Sequence, residues 1–215
     1  SIMSPEGTGL MIDQISSCSF INLTIRAERA GIRARNMSNS AIVNSSIQAR
    51  VEYAIALTFS PNNQITNNTI ISSMIDALDC ALSSGNQILG NNITFQFSEF
   101  ALGSGIQSDG SRSLTIKENT ITGFPMSGIN LQGDSYNNSI EANVVMYCKS
   151  GIRLASDQNI LTGNYVANNL DVGISLENAA QNILRDNLMI NNTQNLQVGS
   201  YSVEGWINDI DVSNL

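Results

Sequence analysis

The 215-residue sequence predicts an all-β fold, a parallel β-helix in which each coil contains three short strands. Asparagine recurs in two columns at intervals of 21 to 28 residues, and a period of about 20 to 50 residues indicates a repeat architecture. Short segments alternate apolar with polar residues, which indicates half-buried strands. No long window keeps the period of an amphipathic helix.

The first strand of each unit begins with a small residue, followed by an aliphatic residue, a variable residue and a second apolar or small residue. These segments are 31–34, 54–57, 77–80, 105–108, 128–131, 151–154 and 173–176. Such short strands cannot bury their apolar faces alone. We therefore expect each strand to pair in parallel with its copy in the next unit, about 4.8 Å away, so that the inward side chains form continuous columns.

The remaining strands of each unit pass through the two asparagine columns. The first column contains Asn63, Asn86, Asn138, Asn159 and Asn182, with Leu114 as an interruption; the second contains Asn68, Asn91, Asn119, Asn143, Asn164 and Asn187. Asparagine tolerates left-handed backbone conformations and bonds to nearby backbone, and stacked asparagines can bond to their equivalents in adjacent layers. We interpret both columns as structural.

The consensus G-I-x-L…N-x-I-x-x-N-x-I resembles the parallel β-helix repeats of the pectin-lyase-like superfamily. It is most similar to the NosD-like, carbohydrate-binding and sugar-hydrolase type of repeat. The resemblance covers about residues 8–197 and implies a right-handed, single-stranded β-helix of about eight coils. Lyases, hydrolases, epimerases, phage spikes and non-catalytic surface proteins share this architecture, so the resemblance does not fix an activity.

The repeat pattern divides the chain into two regions. We expect residues 1–197 to form the β-helix, with residues 1–7 as its start or cap. Periodicity fades afterwards, and residues 198–215 are expected to be a C-terminal cap, with Trp206 on the last core layer, or the beginning of a following segment. A chain that begins at Ser1 fits either a removed leader or a fragment.

Composition narrows the classes of partner. A net charge of −8 and a pI near 4.3 argue against a nucleic-acid partner, and no apolar run is long enough to span a membrane. The acidic, Asn- and Ser-rich surface suits an extracellular, cell-surface or periplasmic location. Cys18, Cys80 and Cys148 lie in distant units, so no internal disulfide is expected. Without histidine or paired cysteines the sequence predicts no metal site and no cofactor, and no spacing of acidic residues demands Ca²⁺.

Catalytic residues cannot be assigned from the outward positions of the first strands. These positions hold Arg33, Ala56, Asp79, Gln107, Asn130, Arg153 and Ser175. Only Asp79 among them is acidic, whereas an inverting glycosidase needs two carboxyl groups. The motifs of the resembled enzymes are missing too: the sequence lacks the polygalacturonase set of N-T-D, D-D, G-H-G and R-I-K, the D-P-H-D of alginate epimerases, and a recognisable pectate-lyase set. These absences weigh against an enzyme.

One irregularity indicates where a ligand would bind. The step from Ile93 to Ile121 is 28 residues, and the excess lies around 98–103. Insertions in solenoids emerge as loops on one face, often the binding face, although a tolerated loop would look the same. The predicted ligand-binding residues are Asp79, Glu99, Phe100, Gln107, Asp109, Asn130 and Arg153.

An arginine-rich segment lies early in the chain and also contains glutamate. Glu28 and Arg50 are 22 residues apart, about one coil, so we expect them to stack as an ion pair. A surface of mixed charge is more typical of a solvated face than of an anion site. Should it bind a ligand, anionic polysaccharide is the natural candidate.

Three functions stay open. The first is an extracellular or cell-surface module that binds carbohydrate, with a polysaccharide or cell-surface glycan as partner, or that serves as a scaffold without catalysis. The second is a structural envelope protein that self-associates through the ends of the solenoid. The third is a polysaccharide lyase, hydrolase or epimerase. The sequence favours the first.

Overall fold

The computed structural model describes residues 1–96, 101–199 and the strand Ile207–Val212. Within these ranges the chain consists of short strands and turns without any helix. None of the described residues form a helix with the length and apolar character needed to cross a bilayer. The chain winds through about eight coils, as the repeat predicts; seven of them have three separate strands, and in the eighth the second and third strands are continuous.

The first strand of every coil belongs to a nine-stranded parallel sheet, which we call sheet 1. Its strands are Leu10–Asp13, Ile32–Arg35, Ile55–Thr58, Leu78–Ala81, Ile106–Asp109, Ser127–Gln132, Ser150–Ala155, Val172–Leu176 and Gln194–Val198. Like residues lie opposite each other: Ile106 pairs with Ile129, and Ile129 with Ile152. The predicted in-register stacking is confirmed.

The other strands form two further parallel stacks. The second stack contains Ser19–Ile21, Ala41–Val43, Gln64–Thr66, Gln87–Leu89, Thr115–Lys117, Ser139–Glu141 and Ile160–Thr162. The third contains Ile2–Ser4, Thr24–Ala27, Ser46–Ala49, Thr69–Ser72, Asn92–Phe95, Thr120–Thr122, Val144–Met146 and Tyr165–Ala167, and the strand Ile207–Val212 pairs along both halves of the long strand described next. In the eighth coil one long strand, Ile183–Ile190, pairs with both stacks and joins them.

The core is a set of aliphatic columns inside the coil. Ile55, Leu78, Ile106, Ile129 and Ile152 form the column under sheet 1, and all are fully buried. Alternation along a strand sends neighbouring side chains to opposite faces. The residue between each inward pair therefore points outward, where its side chain can contact a ligand.

The asparagine columns form hydrogen-bonded ladders. The Asn68 backbone N–H donates to Asn91 Oδ1 at 2.9 Å, and its side-chain Nδ2 donates to the same oxygen at 3.0 Å. Asn91 repeats the arrangement on Asn119 at 2.9 Å in both bonds. The ladder asparagines are buried, so these bonds satisfy turn amides that water does not reach.

The left-handed conformations fall on the residues that precede the ladder, not on the ladder asparagines themselves. Asn67, with φ of 55°, precedes Asn68, and Ala142, with φ of 52°, precedes Asn143. The tolerance of asparagine for left-handed backbone therefore does not explain the ladders. Their hydrogen bonds do, while the left-handed residue before each ladder position bends the chain at the corner.

Two further ladders run through the turns, one in the same turn as the first asparagine column and one after the third stack. In the turn after sheet 1, the Ser60 N–H donates to Ser83 Oγ at 2.9 Å, and the Ser83 N–H donates to Ser111 Oγ at 2.7 Å. After the third stack, the Cys148 N–H donates to Asn169 Oδ1 at 3.0 Å. Neither ladder was predicted from the sequence, because serine and cysteine interrupt the asparagine pattern there.

The long coil keeps the register of the stack. Leu78 still pairs with Ile106, and Ile93 with Ile121, across the 28-residue step. The additional residues all lie between the strands Asn92–Phe95 and Ile106–Asp109. A change of length in a turn leaves the pairing of the strands on either side undisturbed.

Candidate functional site

A groove lies on the outward face of sheet 1, over its first four strands. We call this cavity of about 660 Å³ the sheet-1 groove. Its volume falls within the range of about 300 to 1,000 Å³ that is typical of ligand sites. The lining side chains are those of Met11, Ile12, Asp13, Arg33, Ala34, Arg35, Tyr53, Ala56, Thr58, Phe59 and Asp79.

Aromatic residues flank the strand Ile55–Thr58 at both ends. Tyr53 comes just before this strand and Phe59 just after it, and both line the groove. Between them the outward side chains are the methyl group of Ala56 and the side chain of Thr58. Arg33 and Asp79 stand in register with Ala56 on the neighbouring strands. The small side chain of Ala56 thus leaves space on the sheet surface between the rings of Tyr53 and Phe59.

Asp79 forms one end of the groove and lies among other carboxylates. Burial, together with the nearby charges of Asp76 and Asp109, raises its pKa to about 7. Asp76 lies in the turn before the same strand and accepts a bond of 2.7 Å from the Ser104 N–H. Burial also raises the pKa of Asp76. Near neutral pH, Asp79 can therefore either hold or release a proton.

Charged residues at both ends of the groove affect the pKa of Tyr53. Burial raises the pKa of its phenol, Asp79 and Asp76 raise it further, and Arg33 opposes them. The Tyr53 hydroxyl therefore stays protonated at neutral pH and can both donate and accept a hydrogen bond. It lies where the acidic and the basic ends of the groove meet.

Arginines form the opposite end. Arg33 Nη2 lies 2.6 Å from Glu52 Oε2, and Arg29 Nη2 lies 2.6 Å from Glu52 Oε1, so one carboxylate holds two guanidinium groups. Arg35 stands in register with Thr58 and with Asp13. A ligand in the sheet-1 groove would meet two guanidinium groups and the Asp13 carboxylate at this end, and the Asp79 carboxyl group at the other.

Gln107, Asn130 and Arg153 continue the outward row beyond Asp79 in register. Their side chains bond to one another: Asn130 Nδ2 donates to Gln107 Oε1 at 2.7 Å, and Arg153 Nη1 donates to Asn130 Oδ1 at 3.1 Å. Arg153 also pairs with Glu177 at 2.6 Å and thereby lowers the pKa of that carboxyl. This polar ladder lies outside the sheet-1 groove.

The predicted site residues are therefore only partly brought together. Asp79 lines the groove, and Asp109 is an exposed neighbour whose charge acts on it. Glu99 and Phe100 lie outside the described residues. That the predicted residues bind a ligand stays a prediction.

Sequence reasoning missed Tyr53 and Asp76, counted Arg35 only within the arginine-rich segment, and placed no weight on Phe59. These residues lie at the ends of the sheet-1 strands or beyond them. The candidates from the sequence came mainly from the central outward position of each strand. The signal was available, because a turn residue that directly flanks a strand also borders its outward face.

A second cavity, of about 710 Å³, lies beside the third stack and is lined by Arg26, Arg50, Glu28 and Gln48, among others. The expected ion pair is present, with Arg50 Nη1 and Glu28 Oε1 3.4 Å apart. Gln48 Nε2 also donates to Gln96 Oε1 at 2.9 Å. The ion pair joins neighbouring coils, and the Gln48–Gln96 bond joins coils two apart, on an exposed face of mixed charge.

Solved structures share this architecture at low sequence identity. The periplasmic alginate epimerase AlgG aligns with a TM-score of 0.60 and 16% identity, over 84% of this chain and 57% of that chain. DFA-IIIase from Arthrobacter chlorophenolicus A6, without its lid, aligns with a TM-score of 0.63 and 14% identity, over 86% of this chain and 55% of that chain. Dettilon tailspike protein aligns with a TM-score of 0.60 and 15% identity, over 90% of this chain and 52% of that chain. The chain thus spans little more than half the length of these proteins, and identities this low show the fold alone.

Family comparisons agree with the fold. No curated protein matches the chain by sequence. Residues 1–122 match the family described as right handed beta helix region, and residues 96–209 match the family described as periplasmic copper-binding protein (NosD). Each match covers more than half of the 215 residues. This chain therefore belongs to the right-handed β-helix proteins of the NosD family, with the pectin-lyase-like fold.

Proposed function

We propose that this chain is a β-helix module that binds carbohydrate in the sheet-1 groove. The observation that carries the proposal is the pair of aromatic walls, Tyr53 and Phe59, on either side of Ala56. An aromatic ring offers an apolar face to the C–H groups of a sugar ring, and Tyr53 adds a hydroxyl. Arg35 and Asp79 supply the few polar groups that orient a ligand in such a groove.

The similar proteins support the proposal in a general way. Their names include an alginate epimerase and a tailspike protein, both on the same architecture. NosD and AlgG are both described as periplasmic, which supports an extracellular, cell-surface or periplasmic location for this chain. The division into a β-helix over 1–197 and a separate C-terminal region is part of the same proposal, and self-association through the solenoid ends stays a prediction.

The proposal is tested by titration calorimetry with four linear hexasaccharides, made of glucose, xylose, mannose or galacturonate. We expect at least one to bind, and the Tyr53→Ala variant to bind it about tenfold more weakly or worse. Lys117→Ala is the matched control, because Lys117 lies on the second stack, where it pairs with Glu141 at 2.9 Å. If the wild type binds none of the four, the proposal is wrong.

A hydrolase is a second candidate, favoured by the raised pKa of Asp79. Asp79 stands opposite Gln107, and Asp109 lies two residues further along that strand. Their Cα atoms are then about 8 Å apart by strand geometry, and inverting glycosidases separate their carboxyl groups by about 6.5 to 9.5 Å. Asp79 would act as the general acid and Asp109 as the base that activates water.

Release of reducing ends from the same hexasaccharides tests the hydrolase. Asp79→Asn and Asp109→Asn should each abolish release while both variants still bind sugar, because each retains the groove but loses one proton-transfer group. If the wild type binds sugar but releases no reducing ends, the non-catalytic proposal is left standing.

Copper binding, which the NosD family name carries, is not extended to this chain. Copper sites use imidazole, thiolate or thioether ligands. The sequence contains no histidine, and Cys80 and Cys148 are both buried. Within the described ranges no three His, Cys, Asp or Glu side chains are placed to hold a metal ion. The described residues therefore provide no cluster of histidine, cysteine or carboxylate ligands for a copper ion.

A further inference from the structure

Phe59 and Leu82 occupy equivalent left-handed positions on neighbouring coils. Each directly follows a strand of sheet 1, and their φ angles are 49° and 51°. At the corresponding turns of other coils the left-handed residues are Gln14, Asn36, Gly110, Gly133 and Asn178. The turn thus elsewhere uses polar residues or glycine.

A bulky apolar residue is unfavourable in this conformation. The Cβ atom of an L-residue approaches the following carbonyl oxygen, and glycine or asparagine tolerates the geometry better. Burial does not compensate, because Phe59 is 47% exposed and Leu82 is 54% exposed. At Phe59 the chain therefore combines backbone strain with an aromatic ring that remains open to solvent.

The strain alone does not mark a binding site. Tyr147 shares it, with φ of 58° and 59% exposure, on the turn after the third stack, away from the sheet-1 groove. What distinguishes Phe59 is its position in the groove wall, across Ala56 from Tyr53. Strained residues that persist in a ligand site suggest a gain in function that offsets their cost in stability.

We propose that Phe59 is a ligand-binding residue whose ring stacks on the C–H face of a pyranose in the sheet-1 groove. This rests on the proposed function and deepens it, because it names the stacking residue and the feature of the sugar that it recognises. Stacking needs a flat apolar face on the ring, so binding depends on the aromatic side chain and not on the backbone geometry that carries it.

Two matched variants separate strain from stacking. Phe59→Asn and Tyr147→Asn each place a residue suited to left-handed backbone at a strained turn. Both should raise Tm by about 2–4 °C, the range expected for a chain of this size. In calorimetry with the glucose, xylose, mannose and galacturonate hexasaccharides, only Phe59→Asn should weaken the binding seen with wild type, by about tenfold or more. Phe59→Trp should retain that binding.

Each result decides between the hypotheses. Unchanged affinity in Phe59→Asn, with loss in Tyr53→Ala, overturns this inference and leaves carbohydrate binding in place. A lowered Tm in Phe59→Asn shows that the ring stabilises the turn, which also overturns the inference. If the wild type binds none of the four hexasaccharides, the proposed function and the stacking role fail together.

Discussion

Asn143 Oδ1 accepts two hydrogen bonds from Asn119 in the preceding coil, one from its backbone N–H and one from its Nδ2, both at 3.0 Å. Asn143 in turn donates from its own Nδ2 to the Ile116 carbonyl at 2.9 Å. One buried side chain thus satisfies polar groups of two other residues. The repeat is held at its corners by such contacts as well as by its strands.

Replacing Asn143 with leucine should destabilise the chain by about 3 kcal/mol, because buried groups of Asn119 and Ile116 lose their partners. Urea unfolding followed by circular dichroism measures this. Asn137→Gly is the control, since Asn137 is exposed in a left-handed turn with φ of 57°, and it should change stability by less than about 0.5 kcal/mol. Equal effects of the two variants would show that the ladder is not stabilising.

Asp79 should make stability depend on pH. Its folded pKa of about 7 lies above the ordinary value of 3.8, so between these values the folded state binds more protons than the unfolded state. The free energy of unfolding therefore falls as pH rises from about 4 to about 7, and the penalty is fully present above pH 7. Asp79→Asn should remove a penalty on the order of 3 kcal/mol at pH 8 and change little at pH 4.

Thermal melts of wild type and Asp79→Asn from pH 4 to pH 9 measure that difference. Asp171→Asn, at an exposed turn, controls for the loss of one negative charge. Its Tm should differ from that of wild type by an amount that does not grow between pH 4 and pH 7. A constant difference between wild type and Asp79→Asn would contradict the raised pKa.

Gly128 sits where the backbone of one coil meets the next. A Cβ atom there would collide with Val145 Cγ1 and lie 2.9 Å from the Gly151 carbonyl oxygen. Gly128→Ala should therefore cost about 2 kcal/mol or more, because the coils must separate to admit the methyl group. The control is Gly163→Ala, where nothing lies within 4 Å of the added atom and only left-handed strain at φ of 65° is expected. A smaller loss in Gly128→Ala than in Gly163→Ala would rule out close packing as the cause.

The three free cysteines should differ in reactivity. Cys80 and Cys148 are buried, which raises the pKa of the Cys148 thiol to about 11 and that of Cys80 still further, while Cys18 is only partly buried. The thiolate is the reactive form. Native protein treated with iodoacetamide should take up one label, at Cys18, and unfolded protein three; peptide mass spectrometry distinguishes them. Labelling of native Cys80 would indicate that the coil opens.

The fold was predictable because its signals are periodic. The asparagine columns and the alternating strands repeat at nearly constant spacing, and the predicted partners, such as Asn119 with Asn143, are hydrogen-bonded in the structure. The serine ladder through Ser60 and Ser83 was not predicted, because serine is too frequent in turns to mark one column. Repetition reveals what every coil shares.

The candidate site was less predictable for the same reason. Tyr53 and Phe59 each occur in one coil only, so no period marks them, and their proximity to Arg33 and Asp79 follows from how neighbouring coils stack. The outward row was located correctly in register from Asp79 to Arg153. Where a groove forms along that row depends on side-chain size, as at Ala56. The groove can therefore be located only from the three-dimensional structure.

The long coil shows how this architecture can acquire new parts. Its additional residues all lie between Phe95 and Ile106, while Asn91 and Asn119 keep a ladder bond of 2.9 Å across the step. A peptide spliced into this turn should therefore leave every layer of the solenoid aligned, as loops generally accept insertions at small entropic cost. The same tolerance makes this turn a suitable place to graft a foreign epitope or a reporter sequence.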